Sequence, residues 1–125
     1  QIIGMPLDEF VQAADRSAEQ IPISSMCTVF AESEVVSLIT SGKPREQIAR
    51  GLHAAIADRL RSMLARMGEA GPTLFAGGGA FNSCLRAILE EKTGRKFIVP
   101  DNPQTVTALG AALILSGRGM ERTIP

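Results

Sequence analysis

The sequence has few of the residues that mark common functions. Its 125 residues include five phenylalanines and no tryptophan or tyrosine, so it lacks the aromatic surfaces on which single-stranded nucleic acids stack. The 13 basic and 13 acidic residues cancel, which removes the electrostatic footprint of a protein bound to nucleic acid or to an anionic membrane. No segment reaches the about 20 apolar residues that span a bilayer. These absences favour a globular protein without nucleic-acid or membrane partners.

Cysteine and histidine are also scarce, with two and one in the chain. Cys27 and Cys84 form no CxxC pair and have no third ligand at a suitable spacing, so a metal site would need thiols from two copies of the chain. We expect Cys84 to lie in the core and His53 to lie at the surface or boundary of its helix. Reduced thiols and the absence of a signal-peptide pattern predict a cytoplasmic protein.

The length fits one domain or part of one. Because the chain begins at Gln1 in the middle of an apolar pattern, we expect a fragment or a processed product. We predict an N-terminal helix and loop over residues 1–22, a lobe over residues 23–117 and a frayed polar tail over residues 118–125.

Hydrophobic spacing predicts an α/β fold. The predicted helices cover residues 8–14, 33–42, 44–67, 81–93 and 105–115, and the predicted strands cover residues 74–76 and 96–99. Residues 23–31 fit either a short strand or an ordered loop. From residue 44 the alternation of helix and strand predicts a parallel sheet. Two strands are too few for such a sheet, so further strands must come from another part of the protein or another subunit.

Two of the predicted helices have distinctive patterns. The helix over residues 105–115 is apolar almost all round, so we expect it to be deeply buried, and Gly110, Ala111 and Ala112 would let another backbone approach it closely. Apolar residues at intervals of three and four predict one buried stripe along the helix over residues 44–67. The stripe consists of Ile48, Leu52, Ile56, Leu60, Met63, Leu64 and Met67.

The segment TLFAGGGAFN, residues 73–82, organises the chain as a strand buried on both faces, three glycines and a helix start. Without Cβ atoms, Gly77, Gly78 and Gly79 (the glycine turn) would let a ligand reach the backbone, and the following helix N-terminus favours a phosphate or another anion. The two common nucleotide fingerprints do not fit, because Asn82 occupies a position that requires Gly or Ala and no Gly-Lys-Ser/Thr tripeptide occurs. The pattern leaves open a nucleotide site of another geometry and a tight turn without a ligand.

A second polar segment lies upstream. Cys27 follows and precedes serine and threonine residues whose hydroxyls could hydrogen-bond to a sulfur or an anion, although a lone cysteine is commonly a small buried hydrophobe. Glu32 and Glu34 flank the predicted helix start at Ser33. There they would either complement the helix dipole or contact a cofactor or partner.

Four segments together resemble one protein family. Residues 27–35, CTVFAESEV, closely resemble the cysteine segment of the 2-hydroxyacyl-CoA dehydratase activators and of the ATPase subunits of benzoyl-CoA reductase. Residues 48–59, residues 75–82 (FAGGGAFN) and residues 103–112 resemble later segments of that family in the same order. The resemblance covers roughly residues 20–117, and the ordered set is far more specific than the glycine run alone.

The resemblance implies an actin/sugar-kinase/Hsp70-type (ribonuclease H-like) ATPase fold with two lobes around a nucleotide cleft. It implies a dimer of identical or different ATPase subunits that shares one [4Fe-4S] cluster and uses ATP with Mg²⁺ to pass a low-potential electron to an acyl-CoA reductase or dehydratase. On this resemblance Cys27 is a cluster ligand. Gly77, Gly78 and Gly79 match the adenosine-binding turn of ATP or ADP, with Asn82 at the helix start.

Two departures from the family limit what this chain can do alone. The Asp-x-Gly-Ser/Thr phosphate motif does not occur, and the other cluster cysteine would precede residue 1. We therefore expect the C-terminal half of such a protein, inactive by itself as an ATPase. The alternatives are a fragment of another ATPase of the same superfold, such as a small-molecule kinase, and a non-catalytic assembly lobe.

Overall fold

The computed structural model describes residues 3–24, 28–66, 68 and 71–117. Within these ranges it contains α-helices, two strands and two 3₁₀ turns. The α-helices are α1 (Leu7–Arg16), α2 (Thr28–Thr40), α3 (Arg45–Ala65), α4 (Ser83–Thr93) and α5 (Val106–Leu115). The strands are β1 (Thr73–Leu74) and β2 (Phe97–Ile98), and the 3₁₀ turns are Gly78–Phe81 and Pro103–Thr105. The predicted α/β class is confirmed.

The core forms where α1 and α4 pack against α3. The buried positions of α3 in this core are small residues, Ala49, Ala54 and Ala57, which let the neighbouring helices approach closely, and Leu60 and Leu64 pack at its edge, partly buried. The other two helices fill the core with Ala13, Ala14, Cys84, Leu85, Ile88 and Leu89. The core position predicted for Cys84 is therefore confirmed.

The predicted apolar stripe of α3 is only partly correct. Ile48 is fully buried, but the side chains of Ile56 and Met63 are 49% and 56% exposed. Leu52, Leu60 and Leu64 of the stripe are partly buried and pack against the core, and Met67 lies outside the described residues. Apart from Ile48, the buried positions of α3 are alanines, Gly51 and His53. Side-chain size predicted which face of α3 would be buried. Close packing against α1 and α4 instead favours small side chains at the points of contact.

The start of α2 differs from the prediction. The helix begins at Thr28 rather than at Ser33, so the strand or loop expected for residues 23–31 is wrong for its last part. Local propensity is a weak prior that tertiary contacts override, and Val35 of α2 is buried against Ile48 of α3. Glu32 and Glu34 therefore lie in the second turn of α2 and not at its N-terminus, where the dipole interpretation placed them.

The two strands pair in parallel, as predicted, with Thr73 opposite Phe97 and Leu74 opposite Ile98. The Phe75 amide extends the ladder by donating to the Ile98 carbonyl at 2.8 Å. Leu74 and Ile98 are 52% and 54% exposed, so the described residues cover one face of the sheet only. The expected burial on both faces is not met within this part of the chain.

The last helix is also more exposed than predicted. Within the described part of the chain, α5 packs on the Pro103–Thr105 turn and has no buried residue. Leu109, Ile114 and Leu115 are 59%, 65% and 89% exposed, and a Cβ atom at Gly110 would contact nothing. The expectation of deep burial is wrong here, because apolarity shows that a helix needs a cover without showing which segment supplies it.

None of the described helices is long and apolar enough to cross a membrane.

The segment that leads from α1 to α2 is fastened to both α2 and α3. The Ile21 amide donates to the Gln47 carbonyl at 3.2 Å, and a Cβ atom at Gly51 would overlap the Ile21 carbonyl oxygen. Further along, the amide and hydroxyl of Ser24 donate to the Glu34 carboxylate at 3.2–3.3 Å. The backbone just before residues 25–27 is thus held on two sides.

We predict that Gly51→Ala lowers the free energy of unfolding by about 1–3 kcal/mol, because the added methyl group displaces the Ile21 carbonyl from α3. Chemical denaturation measures the change. Ser62→Ala, on the exposed side of the same helix, should stay within about 0.5 kcal/mol of wild type and serves as the control. Equal stability of both variants would show that the 17–24 segment does not pack on Gly51 in solution.

Candidate functional site

The glycine turn lies between β1 and α4, and its first residue has a backbone conformation that only glycine adopts without strain. Gly77 has φ 88° and ψ −179°. Its amide donates to the Pro103 carbonyl at 2.7 Å, which ties the glycine turn to the 3₁₀ turn that precedes α5. Gly77 is therefore required by the fold.

The other two glycines are not required by the described residues. Gly78 and Gly79 are exposed and begin the 3₁₀ turn Gly78–Phe81. A Cβ atom at Gly78 would lie 3.7 Å from Gln104 Nε2, and one at Gly79 would lie 4.0 Å from Phe75 Cζ. Both are ordinary contact distances. Side chains would fit at both positions as far as this part of the chain is concerned, so the bare backbone is available to something that approaches from outside it.

Asn82 joins the glycine turn to α4. Its amide donates to the Gly79 carbonyl at 3.1 Å and closes the 3₁₀ turn, while its side-chain Oδ1 accepts from the Leu85 amide at 2.9 Å. Asn82 is therefore the N-cap of α4, a position that favours asparagine. The predicted helix start is corrected from residue 81 to Ser83, because residues 78–81 form the tighter turn.

His53 contacts the side chain of Asn82 at the end of the glycine turn. The imidazole is 1% exposed, so the expected surface or boundary position is wrong. Its Nδ1 lies 2.8 Å from the Ala49 carbonyl oxygen, its Nε2 lies 2.9 Å from Asn82 Nδ2, and its ring stacks on Phe10 at 4.7 Å. Two features of the sequence could have indicated this contact. One is an asparagine at a helix N-cap, whose amide nitrogen needs an acceptor, and the other is a histidine on the alanine-rich side of α3.

These contacts assign the protons of the pair. Since the Leu85 amide must donate to Asn82 Oδ1, the Asn82 Nδ2 group faces His53 and donates to it. His53 Nε2 is then the acceptor, and Nδ1–H donates to the Ala49 carbonyl. Each of the four polar atoms, Oδ1 and Nδ2 of Asn82 and Nδ1 and Nε2 of His53, thus has a hydrogen-bond partner of the complementary type.

The remaining cysteine and acidic residues take different places. Burial raises the pKa of the Cys84 thiol to about 12, with a smaller contribution from Asp15, so it is a poor nucleophile and metal ligand. No group of three or more potential metal ligands occurs among the described residues. Glu32 is exposed on α2, and Glu34 binds Ser24. Cys27 lies outside the described residues.

Solved structures with the same architecture are ATPases of the actin/Hsp70-like class. The activator of 2-hydroxyisocaproyl-CoA dehydratase from Clostridium difficile, with bound ADPNP, aligns with 99% of this chain and 48% of its own at TM-score 0.84 and 34% identity. Component A of (R)-2-hydroxyglutaryl-CoA dehydratase from Acidaminococcus fermentans aligns with 90% of this chain and 44% of its own, at the same TM-score and identity. The short parallel sheet and its helices thus have the actin/Hsp70-like ATPase fold, as predicted.

The family assignment follows from the sequence. Residues 1–114 match the BadF/BadG/BcrA/BcrD ATPase family, and the chain belongs to that family. It is 38% identical over 113 residues to the 2-hydroxyisocaproyl-CoA dehydratase activator of Clostridioides difficile, covering 90% of this chain and 42% of that protein. It is 30% identical over 118 residues to one of the subunits of benzoyl-CoA reductase from Thauera aromatica, covering 89% and 42%. The predicted resemblance is confirmed, and the chain spans less than half the length of these relatives.

We predict that Gly77→Ala lowers the free energy of unfolding by about 1–3 kcal/mol, because a side chain is strained at the Gly77 backbone conformation. Gly78→Ala, whose Cβ would make only an ordinary contact, should stay within about 1 kcal/mol of wild type. Denaturant unfolding of the two variants side by side tests the difference. Similar losses in both would contradict the assignment of the strain to Gly77.

Proposed function

We propose that this chain is the C-terminal part of an ATP-dependent activator or ATPase subunit that passes low-potential electrons to an acyl-CoA reductase or dehydratase. The observation that carries the proposal is the exposed backbone of Gly78 and Gly79, which has room for side chains and yet has none. The chain that carries this exposed backbone belongs to an ATPase family, and it is 34% identical to an activator whose structure contains ADPNP.

The nucleotide part of the proposal assigns the adenosine side of the site to the glycine turn. Gly77 sets the direction of the chain, Gly78 and Gly79 let the ligand reach the backbone, and Asn82 fixes the start of α4. The phosphate side and Mg²⁺ would be held by residues outside this chain, because the Asp-x-Gly-Ser/Thr motif is absent from it.

The electron-transfer part of the proposal rests on Cys27. One thiol cannot hold a [4Fe-4S] cluster, and no group of three ligands occurs among the described residues. A cluster would therefore need thiols from another segment and from a second subunit, identical or different. The contacts of Ile21 and Ser24 with α3 and α2 support this role, since they would hold the segment that enters residue 27 in one place.

The exposed apolar surfaces support a larger assembly. Leu74 and Ile98 on the open face of the sheet, and Leu109, Ile114 and Leu115 on α5, are each more than half exposed. Exposed large apolar side chains in such numbers mark surfaces that another segment or subunit covers. The acyl-CoA partner follows from the relatives, which are named as dehydratase activators and a reductase subunit. A cytoplasmic location stays a prediction.

We predict that the full-length protein to which this chain belongs binds ADPNP and that Gly78→Ala weakens binding by about tenfold or more, because a methyl group at the contact surface removes about 1.4 kcal/mol or more of interaction. Isothermal titration calorimetry measures the affinity. Gly71→Ala is the matched control, since its Cβ is also unhindered but lies outside the glycine turn. Absence of ADPNP binding by wild type would contradict the nucleotide assignment.

We predict that Cys27→Ser abolishes the charge-transfer absorbance that appears when the full-length protein is reconstituted anaerobically with iron and sulfide, because serine removes a thiolate ligand. Cys84→Ala removes the buried thiol and should keep that absorbance, which makes it the control. A wild-type protein that takes up no cluster would contradict the electron-transfer role and favour the kinase or assembly alternatives.

A further inference from the structure

We infer that His53 is a positioning residue for the nucleotide site, acting through Asn82 to hold the glycine turn in its ligand-ready geometry. The inference rests on the proposed function, since the site it serves is the proposed adenosine site. His53 itself is buried, and the partners of its ring are Ala49, Asn82 and Phe10.

The imidazole is held in the core by contacts that do not involve the glycine turn. It belongs to α3, the helix on which α1 and α4 both pack, and is fixed there by the Ala49 carbonyl and by stacking on Phe10. Among the described residues it is the one buried polar side chain. A buried polar group lowers stability unless its hydrogen bonds are made, and both ring nitrogens of His53 have such partners.

Asn82 connects His53 to both α4 and the glycine turn through two further hydrogen bonds. Its Oδ1 accepts from Leu85 at the start of α4, and its backbone amide donates to Gly79 within the 3₁₀ turn. The one remaining polar group of the side chain, Nδ2, donates to His53 Nε2 at 2.9 Å. If that acceptor is lost, the side-chain amide can rotate, and both the N-cap bond and the closure of the turn weaken together.

The histidine offers a pair of substitutions that separate its two hydrogen bonds. Glutamine can place an oxygen where Nε2 lies, so His53→Gln keeps an acceptor for Asn82 and loses the bond to Ala49. Asparagine can place its amide nitrogen where Nδ1 lies, so His53→Asn keeps the bond to Ala49 and loses the acceptor. Both remove the ring and its stacking on Phe10. The pair therefore shares the loss of ring stacking, differs in size by one methylene group and has opposite effects on Asn82.

The test compares the full-length wild-type protein with its His53→Gln and His53→Asn variants for ADPNP affinity by calorimetry and, without nucleotide, for hydrogen–deuterium exchange of the amides of residues 78–86. We expect His53→Asn to bind ADPNP about tenfold more weakly and His53→Gln to stay within about threefold of wild type, the range expected for one hydrogen bond. Exchange over residues 78–86 should rise by about tenfold in His53→Asn alone.

Each outcome has one meaning. If wild type binds ADPNP and the two variants lose affinity and protection equally, the ring serves packing only and the positioning role is overturned. If wild type binds no ADPNP but exchange still rises in His53→Asn alone, the proposed nucleotide site is wrong while the support of the turn by His53 stands. If neither variant changes affinity or exchange, the role is likewise overturned.

Discussion

The glycine turn depends on how closely α1 and α4 approach the alanine-rich side of α3. Ala49, Ala54 and Ala57 present little more than methyl groups there, so the helices come near enough for polar groups on their edges to meet. The N-cap of α4 thereby reaches the imidazole of His53 at hydrogen-bond distance. Because protein interiors are close-packed, a larger residue at one of these alanine positions would displace α4 and the glycine turn with it.

The turn is held at both of its ends and left open in its middle. Gly77 is bonded to the Pro103 carbonyl on one side, and Asn82 is bonded to His53 and Leu85 on the other. Gly78 and Gly79 lie between these fixed points with their backbone exposed. A rigid frame around a bare segment limits the ordering that a bound ligand has to impose, and this is why a binding site benefits from such a frame.

Local patterns predicted the elements whose information lies within a few residues. The alternating order of helix and strand, the parallel pairing of the two strands and the core position of Cys84 are all correct. The start of α2 was misplaced because the residues before Ser33 favour strand locally, and that preference is weak against the packing of Val35 on Ile48. The stripe on α3 was partly wrong because the predicted face was chosen by side-chain size, whereas close packing buried the alanines.

The sequence by itself determined the α/β order and the glycine turn, because each depends on residues that are near one another in the chain, and it determined the family through four short segments in a fixed order. Only the tertiary structure decided that His53 lies beneath Asn82, since the two residues are far apart in sequence and meet through the packing of α4 on α3. It also decided that α5 and one face of the sheet are exposed in the described chain. Hydrophobicity specifies that a surface needs a cover, but only the packed arrangement shows whether these residues supply it.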